Sequence, residues 1–411
     1  MLRKNSSFSS TSQDTGFFDI VIGNPPYFIY KNEHLKSLEN IKLQDYYSMT
    51  GSGKLNAYRA FIAKSLKNIT KINGIFCMIF QNSFLGDSFV SGLRKYIFDN
   101  HEIVKIDSFP ERDNTAKRVF SGVKMSVCIL TCKKGNSTNG FILNMFSDKK
   151  FHCEYVSYIK ISDIKLLDQK SYSIPLIKPD ELSILLKLFK HQKLEVKAIE
   201  GEINMTFHKH LLSGNNNNPE VLKGAAIQRY RISEKISQGK HEYLNVKKYK
   251  HENNGPKTEH HKFARLAMQG ITGVDDKRRL IFALVPSNYY LANSCNYILA
   301  NSIDKLKYLL GILNSFLLNW VFKKNSTNSN VNCYEINCLP ILVPSSSQQE
   351  TIVKLVDSIL EKYTNGTEAD IPKIDKCIDN FVYRFYNLTY NEVKIIEPDF
   401  ALSRAEYEEI S

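Results

Sequence analysis

The residues best suited to chemistry stand in one short stretch, Asn24-Pro25-Pro26-Tyr27. Asn24 carries an amide that both donates and accepts hydrogen bonds, and Tyr27 carries a flat aromatic ring. Each proline fixes its backbone φ and has no N–H, so the turn is stiff and its carbonyl groups are available as acceptors. Accepting carbonyls, an amide and an aromatic ring together suit the binding of a planar amine such as adenine.

The element that positions this turn is predicted to be a β-strand. Residues 18–22 are mostly β-branched or apolar, as in a buried parallel strand, and Gly23 and the two prolines end the run. The turn would then lie at the carboxyl end of the strand. A strand that simply ends in a proline turn, with no chemical role, is the alternative that this pattern leaves open.

The string from Asp19 to Tyr27 resembles the catalytic motif of gamma-type adenine-specific DNA methyltransferases of restriction-modification systems. The resemblance implies transfer of a methyl group from S-adenosylmethionine to the exocyclic amino group of a flipped adenine. It implies that Asn24 and the Pro25 carbonyl bind that amino group, that Pro26 stiffens the turn and that Tyr27 stacks on the base. Asp19 and Asn24 are the predicted cofactor contacts, although Asp19 could equally orient the turn or be a strand-end charge.

A second aromatic residue is predicted to face the turn. The segment from Arg118 to Ser126 resembles the loop that precedes the last core strand of these enzymes, where an aromatic residue closes the other side of the flipped adenine. Phe120 is the candidate. Extruding a base costs a few kcal/mol of stacking, and a sandwich between two aromatic rings recovers much of it. The alternative is that Phe120 belongs to the core.

The order of elements around these residues predicts an α/β fold. Residues 16–135 alternate between strands and helices, which is typical of a doubly wound sheet. The strands are expected at 18–22, 74–80, 103–106 and 127–131, and the helices at 56–68 and 88–100. By resemblance, this is an incomplete Rossmann-like methyltransferase sheet, followed by an α+β target-recognition domain and C-terminal helices.

The sequence contains no glycine-rich cofactor loop ahead of the turn. Such a loop needs a strand before it and a helix after it, about 30 residues in all, whereas only 17 residues, most of them polar, precede the strand. We therefore expect the cofactor-binding half to lie on a partner chain, or to be lost by truncation or frameshift. A DNA-binding specificity subunit or remnant without activity of its own is the alternative function, and a restriction endonuclease is another expected partner.

A basic segment follows in residues 191–290, which hold 17 Lys and Arg against 10 Asp and Glu. Cations interleaved with Tyr and Gln suit a DNA groove, because cations hold phosphates while Arg and Gln can read base edges. The order of these residues resembles the target-recognition domains of TaqI-like methyltransferases. A domain with a merely solvated basic surface is the alternative. The predicted DNA contacts are Arg229, Tyr230, Lys248, Arg265, Gln269 and Arg278.

Composition and charge complete the prediction. Residues 346–411 carry a net charge of −6 and the rest of the chain +19, so double-stranded DNA is the expected partner of the basic part. We predict a partial catalytic domain in 1–190, a target-recognition domain in 191–345 and a helical segment in 346–411.

The eight cysteines are scattered without a C-x-x-C pair, which favours free thiols in the cytoplasm and no bound metal. No apolar run approaches the ~20 residues needed to span a bilayer.

Overall fold

The computed structural model describes residues 16–30, 55–234, 240–272, 278–326 and 330–410. Within it, the chain separates into two compact units, Met1–Leu186 and Lys187–Ser411. The three-part division predicted above stays a prediction. None of the helices in these ranges has the length and apolar character needed to cross a membrane.

The first unit is built on a six-stranded mixed sheet with the strand order β1-β2-β4-β3-β5-β6. β1 runs parallel to β2, and β3 runs parallel to β5, while the other neighbours are antiparallel. The predicted α/β class is confirmed. The strands are β1 (Phe18–Gly23), β2 (Thr70–Gln81), β3 (His101–Phe109), β4 (Val127–Lys134), β5 (Gly140–Phe146) and β6 (Cys153–Lys160).

The long strand β2 forms the link between the edge strand and the core. Its side chains alternate from Gly74 onward, so Phe76, Met78 and Phe80 are buried while the residues between them are half-buried. The α-helices of this unit are α1 (Ala57–Lys64), α2 (Ser91–Asn100) and α3 (Ile161–Leu167), with α4 (Pro179–Lys190) at the unit boundary. Tyr58 of α1 stacks on Phe80 with ring centroids 5.6 Å apart, which fixes this helix against β2.

The first strand lies at the edge of the sheet. The predicted parallel strand is confirmed, with Ile22 opposite Cys77 and Gly23 opposite Met78. Its predicted burial is wrong within the described residues, because Phe18, Ile20 and Ile22 are 58%, 63% and 76% exposed. These three side chains share one face by the period-two alternation of a strand. The β-branched run therefore marked strand propensity, not burial.

The second unit contains a four-stranded antiparallel sheet in the order β14-β13-β16-β7 and three strand pairs. Its central strand β13 buries Leu266, Ala267 and Met268. Within the described residues, the strands of this unit are β7 (Ala198–Glu200), β8 (Leu212–Ser213), β9 (Val221–Leu222), β10 (Ile227–Gln228), β11 (Arg231–Ile232), β12 (Tyr243–Leu244), β13 (Arg265–Gln269), β14 (Phe282–Val285), β15 (Tyr290–Leu291) and β16 (Cys295–Ile298).

Helices dominate the rest of this unit, as predicted. The apolar repeat over 304–320 predicts one helix, but the structure has two, because Ser315 leaves helical dihedrals and its hydroxyl accepts a hydrogen bond from Leu318 N. The helices are α5 (Val246–Glu252), α6 (Ile303–Asn314), α7 (Phe316–Asn325), α8 (Cys333–Asn337), α9 (Ser346–Thr364), α10 (Ile371–Phe385), α11 (Tyr390–Ile396) and α12 (Arg404–Glu408).

Candidate active site

The turn after β1 places Tyr27 in direct contact with Asn24. The Tyr27 hydroxyl is 2.6 Å from Asn24 Oδ1 and 3.2 Å from the carbonyl oxygen of Ile79, so both oxygens are within reach of its hydrogen. The second contact ties the turn to the carboxyl end of β2. Burial, with a smaller effect of the Cys128 thiol, raises the pKa of Tyr27 to about 12. The phenol therefore stays protonated at neutral pH and acts as a donor that orients the Asn24 amide.

The four residues of the turn differ in exposure. Asn24 is exposed, Pro25 is buried, and Pro26 and Tyr27 are half-buried. The buried proline anchors the turn, while the amide of Asn24 stays open to a ligand. Since Tyr27 occupies one lone pair of Asn24 Oδ1, the second lone pair can accept another hydrogen bond.

Phe120 faces Tyr27 across the site. The two ring centroids are 6.2 Å apart and the ring planes are inclined by 53°. Phe120 is half-buried and lies in the loop between β3 and β4. A planar ring inserted between the two side chains would require them to separate and become more nearly parallel. We call this pair of rings the aromatic clamp; they lie close to each other, and a role in stacking on a base stays a prediction.

The loop that carries Phe120 is held by polar contacts along its length. The Arg118 guanidinium donates to the carbonyl oxygens of Arg112 and Ser121 on either side. Asp113 pairs with Lys124 at 2.6 Å, which closes the base of the loop. These contacts restrict the position of Phe120 even though the segment has no regular secondary structure.

The cofactor implied by the resemblance, S-adenosylmethionine, fits these residues only in part. Asp19 is 80% exposed and its Oδ2 atom pairs with Lys71 Nζ at 3.0 Å. It precedes Asn24 by five residues, about 16 Å along the strand, whereas ligands of open α/β sheets bind beyond the carboxyl ends of strands. The described residues thus fit the methyl-accepting side of such a site and do not by themselves supply the donor side. The cofactor roles of Asp19 and Asn24 stay predictions.

Three of the predicted DNA contacts meet around helix α10. Arg229 forms a bidentate ion pair with Asp375, at 2.8 and 2.7 Å, and the buried Tyr230 donates to the same carboxylate at 2.9 Å. Arg278 donates to Asn314 O and lies 3.7 Å from Asp379, whose pKa is raised by burial to about 6. Their side chains support the packing of α10 in this conformation.

The other three predicted contacts lie apart from that cluster. Arg265 has no exposed surface; it donates to Glu202 Oε1 at 2.7 Å and to Tyr289 O at 2.6 Å. Gln269 donates to Ile227 O at 2.7 Å within the same sheet region. Lys248 is exposed on α5. A role in DNA contact stays a prediction for all six, and the structure assigns Arg265 to the core.

Sequence reasoning missed the acidic partners of these arginines. Asp375 and Asp379 are four residues apart, so they lie on one face of α10. The four-residue spacing was a signal that both carboxylates could form ion pairs with basic side chains on that face of the helix. Glu202 carried no comparable signal, since its partner Arg265 is 63 residues away. Within the described residues, no group of three His, Cys, Asp or Glu side chains could hold a metal ion.

Two family models match separate stretches of this chain. The sequence model of the Eco57I restriction-modification methylases matches residues 1–115, and that of the TaqI-like C-terminal specificity domain matches residues 219–341. The type II methyltransferases M.HincII and M.HindII, both from Haemophilus influenzae, are each 32% identical over 207 residues, which is 48% of this chain. These matches cover 38% and 36% of those proteins, so the similarity spans well under half of their length.

The fold has a counterpart among solved structures. The type IIL restriction-modification enzyme MmeI, solved in complex with DNA, superposes with a TM-score of 0.52 at 13% identity, over 95% of this chain and 57% of that one. At this identity the similarity shows a shared fold and no more. The predicted fold class, a mixed α/β sheet followed by an α+β region and C-terminal helices, is thereby confirmed.

Proposed function

The chain is related to restriction-modification methyltransferases that carry a TaqI-like specificity domain, and from that kinship we propose that it acts in site-specific adenine methylation of double-stranded DNA. S-adenosylmethionine is the proposed methyl donor, and the cytoplasm the proposed location. The observation that carries this proposal is the clamp of Tyr27 and Phe120 beside the oriented amide of Asn24. It combines an aromatic slot with acceptors at one edge, as recognition of a flipped base requires.

The proposed roles follow from the geometry of the turn. Asn24 Oδ1 and the Pro25 carbonyl accept hydrogen bonds from the adenine amino group, while Tyr27 and Phe120 hold the ring. The two acceptors keep the nitrogen lone pair out of conjugation and direct it toward the methyl carbon, and such alignment is where proximity lowers a barrier. When bound, S-adenosylmethionine supplies the electrophilic methyl group. No side-chain base is needed before transfer, because the neutral amine attacks.

A second candidate function is DNA recognition without methyl transfer by this chain alone. The pairing of Asp19 with Lys71 favours it, because the carboxylate predicted to contact the cofactor is already paired with a cation five residues before Asn24. The two candidates differ in cofactor binding. Equilibrium dialysis of the purified chain against labelled S-adenosylmethionine separates them: saturable binding favours the complete enzyme, and none favours a chain that requires a partner for the donor side.

The test of the proposed function is sequencing of cellular DNA for N6-methyladenine. The chain is expressed alone and with its neighbouring reading frames in a host without other DNA methyltransferases. We expect the modified base at one recurring sequence in at least one of the two strains. If neither strain contains it, or if cytosine is modified instead, the proposal is wrong.

The hydroxyl of Tyr27 gives a first mutational prediction. The variant Tyr27→Phe keeps the ring but removes the donor to Asn24, and a net hydrogen bond contributes about 0.5–1.5 kcal/mol. We therefore expect kcat to fall about 2- to 10-fold, with little change in DNA affinity. Tyr30→Phe is the matched control and should leave kcat unchanged. A Tyr27→Phe enzyme with full kcat would show that the hydroxyl does not orient Asn24.

The ring of Phe120 gives a second prediction. Base–aromatic stacking contributes about 1–3 kcal/mol per base, so Phe120→Ala should lower kcat/KM about 5- to 150-fold. Phe89→Ala removes an exposed phenylalanine of the same unit and serves as the control. Substituting an abasic nucleotide for the target adenine should make wild type and Phe120→Ala bind DNA equally. A persistent difference on abasic DNA would mean that Phe120 acts through loop stability and not through stacking.

A further inference from the structure

The turn between β5 and β6 carries an exposed aromatic residue that the proposed active site does not use. The turn consists of residues 147–152, and Phe151 within it is 57% exposed. The backbone φ of Phe151 is +62°, in the left-handed region that glycine and asparagine favour. A bulky residue adopts this conformation only at a cost in conformational energy, and such strain persists where the surrounding structure holds it. A phenylalanine at this position therefore needs a reason beyond the turn itself.

Hydrogen bonds fix the shape of the turn. The Asp148 carboxylate accepts from Lys150 N at 2.8 Å and lies 2.7 Å from His152 Nδ1. Ser147 N donates to His152 O at 3.0 Å, and Phe151 N donates to Asp148 O at 3.3 Å. These contacts hold the backbone of Phe151 from both sides.

The ring of Phe151 packs on two other phenylalanine rings. Phe109 and Phe146, at the carboxyl ends of β3 and β5, stack with their centroids 5.0 Å apart. The Phe151 ring meets both of them edge to face, at 5.1 and 5.2 Å. Phe109 is buried, so this support belongs to the core. The Phe151 ring is thus held on one side, while more than half of its surface is open to solvent.

Two exposed lysines, Lys149 and Lys150, directly precede Phe151. Among the described residues neither ammonium group forms an ion pair, and the adjacent Asp148 carboxylate pairs with His152 instead. An apolar protein partner would leave both ammonium groups unpaired, whereas a phosphate backbone would neutralise them. The combination of a rigid apolar ring and two cations therefore favours a nucleic acid as the partner of this turn.

The turn lies at the same edge of the sheet as the aromatic clamp. Strands β1, β2, β3 and β5 run in one direction, so the turns that follow β1 and β5 share the edge at their carboxyl ends. β1 and β5 are four strand positions apart, about 19 Å, which corresponds to about six base pairs. Lys149 N also donates to Lys117 O at 2.8 Å, in the loop that carries Phe120. A duplex that presents its target base to the clamp is therefore within reach of this turn.

We propose that this turn is a contact to the DNA duplex that flanks the target adenine. The Phe151 ring wedges between two base pairs, and Lys149 and Lys150 bind the phosphates beside it. Phenylalanine is one of the apolar side chains that enter a base stack in this way and kink the duplex. The inference rests on the proposed function, which brings a duplex to this edge of the sheet.

The wedge is tested with Phe151→Asn in the full chain, since asparagine adopts the left-handed region and keeps the turn. Fluorescence anisotropy compares an intact duplex with the same duplex containing one abasic site opposite a cytosine, which the proposed adenine site does not accept. No recognised sequence is required, because a non-specific complex slides along DNA to the gap. Wild type should bind the abasic duplex about 10-fold or more tightly than the intact one, because the ring enters without unstacking a base step.

Phe151→Asn should bind the two duplexes equally. The control Phe89→Asn, at another exposed phenylalanine of the unit, should keep the wild-type preference for the abasic duplex. A Phe151→Asn protein with the wild-type preference, or a wild type with no preference, would overturn the wedge.

The two lysines are tested by Lys149→Gln/Lys150→Gln. Each phosphate contact to a duplex contributes about 0.9 to the slope of log K against log salt, so this variant should lower the slope by about 1.8. Lys160→Gln/Lys170→Gln removes the same charge from two other exposed lysines of the unit and should not change the slope. An unchanged slope in the first variant would overturn the phosphate assignment.

Failure of this proposal and failure of the proposed function give different results. If the chain modifies adenine in cells but Phe151→Asn keeps the preference for the abasic duplex, the turn is not a wedge and the methylation proposal stands. If Phe151 and the two lysines behave as expected but no N6-methyladenine is found, the turn contacts DNA in a chain with another role, and its placement beside a target adenine is wrong.

Discussion

Replacing Asn24 with alanine is expected to lower methyl transfer by about 10²–10³-fold or more, as for loss of one preorganised hydrogen-bonding group at a reacting centre. The substitution removes the oxygen that Tyr27 orients at 2.6 Å and that is proposed to accept a hydrogen bond from the adenine amino group. The loss should fall on kcat, because the aromatic clamp that holds the ring is unchanged. DNA affinity should stay within a few-fold. The measurements are single-turnover methylation and fluorescence anisotropy on the same duplex, with any partner that activity requires.

Asn100→Ala is the control for this substitution. Asn100 is an exposed asparagine at the end of α2 in the same unit, so its replacement tests for a general effect of removing a surface amide. It should change neither kcat nor DNA affinity. Equal losses of methylation and DNA binding in Asn24→Ala would contradict the assigned role, since they would indicate that Asn24 supports the fold or the interface instead of the reaction.

Arg265→Ala is expected to destabilise the second unit by about 3–5 kcal/mol, because it leaves Glu202 as an uncompensated buried charge. Arg265 and Glu202 are fully buried, with Nη1 and Oε1 2.7 Å apart. Burial raises the pKa of the Glu202 carboxyl, whereas the Arg265 guanidinium lowers it, so loss of the guanidinium removes the largest effect that opposes burial. The measurement is urea unfolding followed by the fluorescence of Trp320, which lies in the same unit.

Two further variants separate this structural role from DNA contact. The double variant Arg265→Met/Glu202→Leu removes both charges and should recover most of the lost stability, since an apolar replacement of a buried ion pair is often neutral. Lys248→Ala, at an exposed position, should stay within about 0.5 kcal/mol of wild type. A stable Arg265→Ala protein that binds DNA much more weakly would contradict the core assignment and restore the prediction made from the sequence.

The turn at Asn24 could be predicted because the residues that determine it are close together in the sequence. The β-branched run, Gly23 and the two prolines determine a strand and its end within ten residues. The facing of Tyr27 and Phe120 needed the family resemblance, since 93 residues separate them in the sequence. The β-branched run alone does not decide whether Ile20 and Ile22 are exposed, because β-branched residues mark an edge strand as well as a central one.

The acidic partners of the arginines could not be predicted, because they are distant in the sequence. Arg229 and Asp375 are 146 residues apart, so composition shows a basic segment and an acidic tail without showing that they neutralise each other. The two-helix division at Ser315 was missed because the apolar period continues across it while a single serine cap ends one helix and begins the next. Strands β5 and β6 lie beyond residue 135, where the predicted alternation stopped.

The most direct test of the central claim is photo-crosslinking at the recognised site. A duplex in which 5-iodouracil replaces the target adenine is irradiated in complex with the protein, and the crosslinked residue is identified by mass spectrometry. Our account predicts attachment to Tyr27 or Phe120, because the flipped base lies between their rings. Crosslinks confined to other residues, with Tyr27 and Phe120 unmodified, would contradict it.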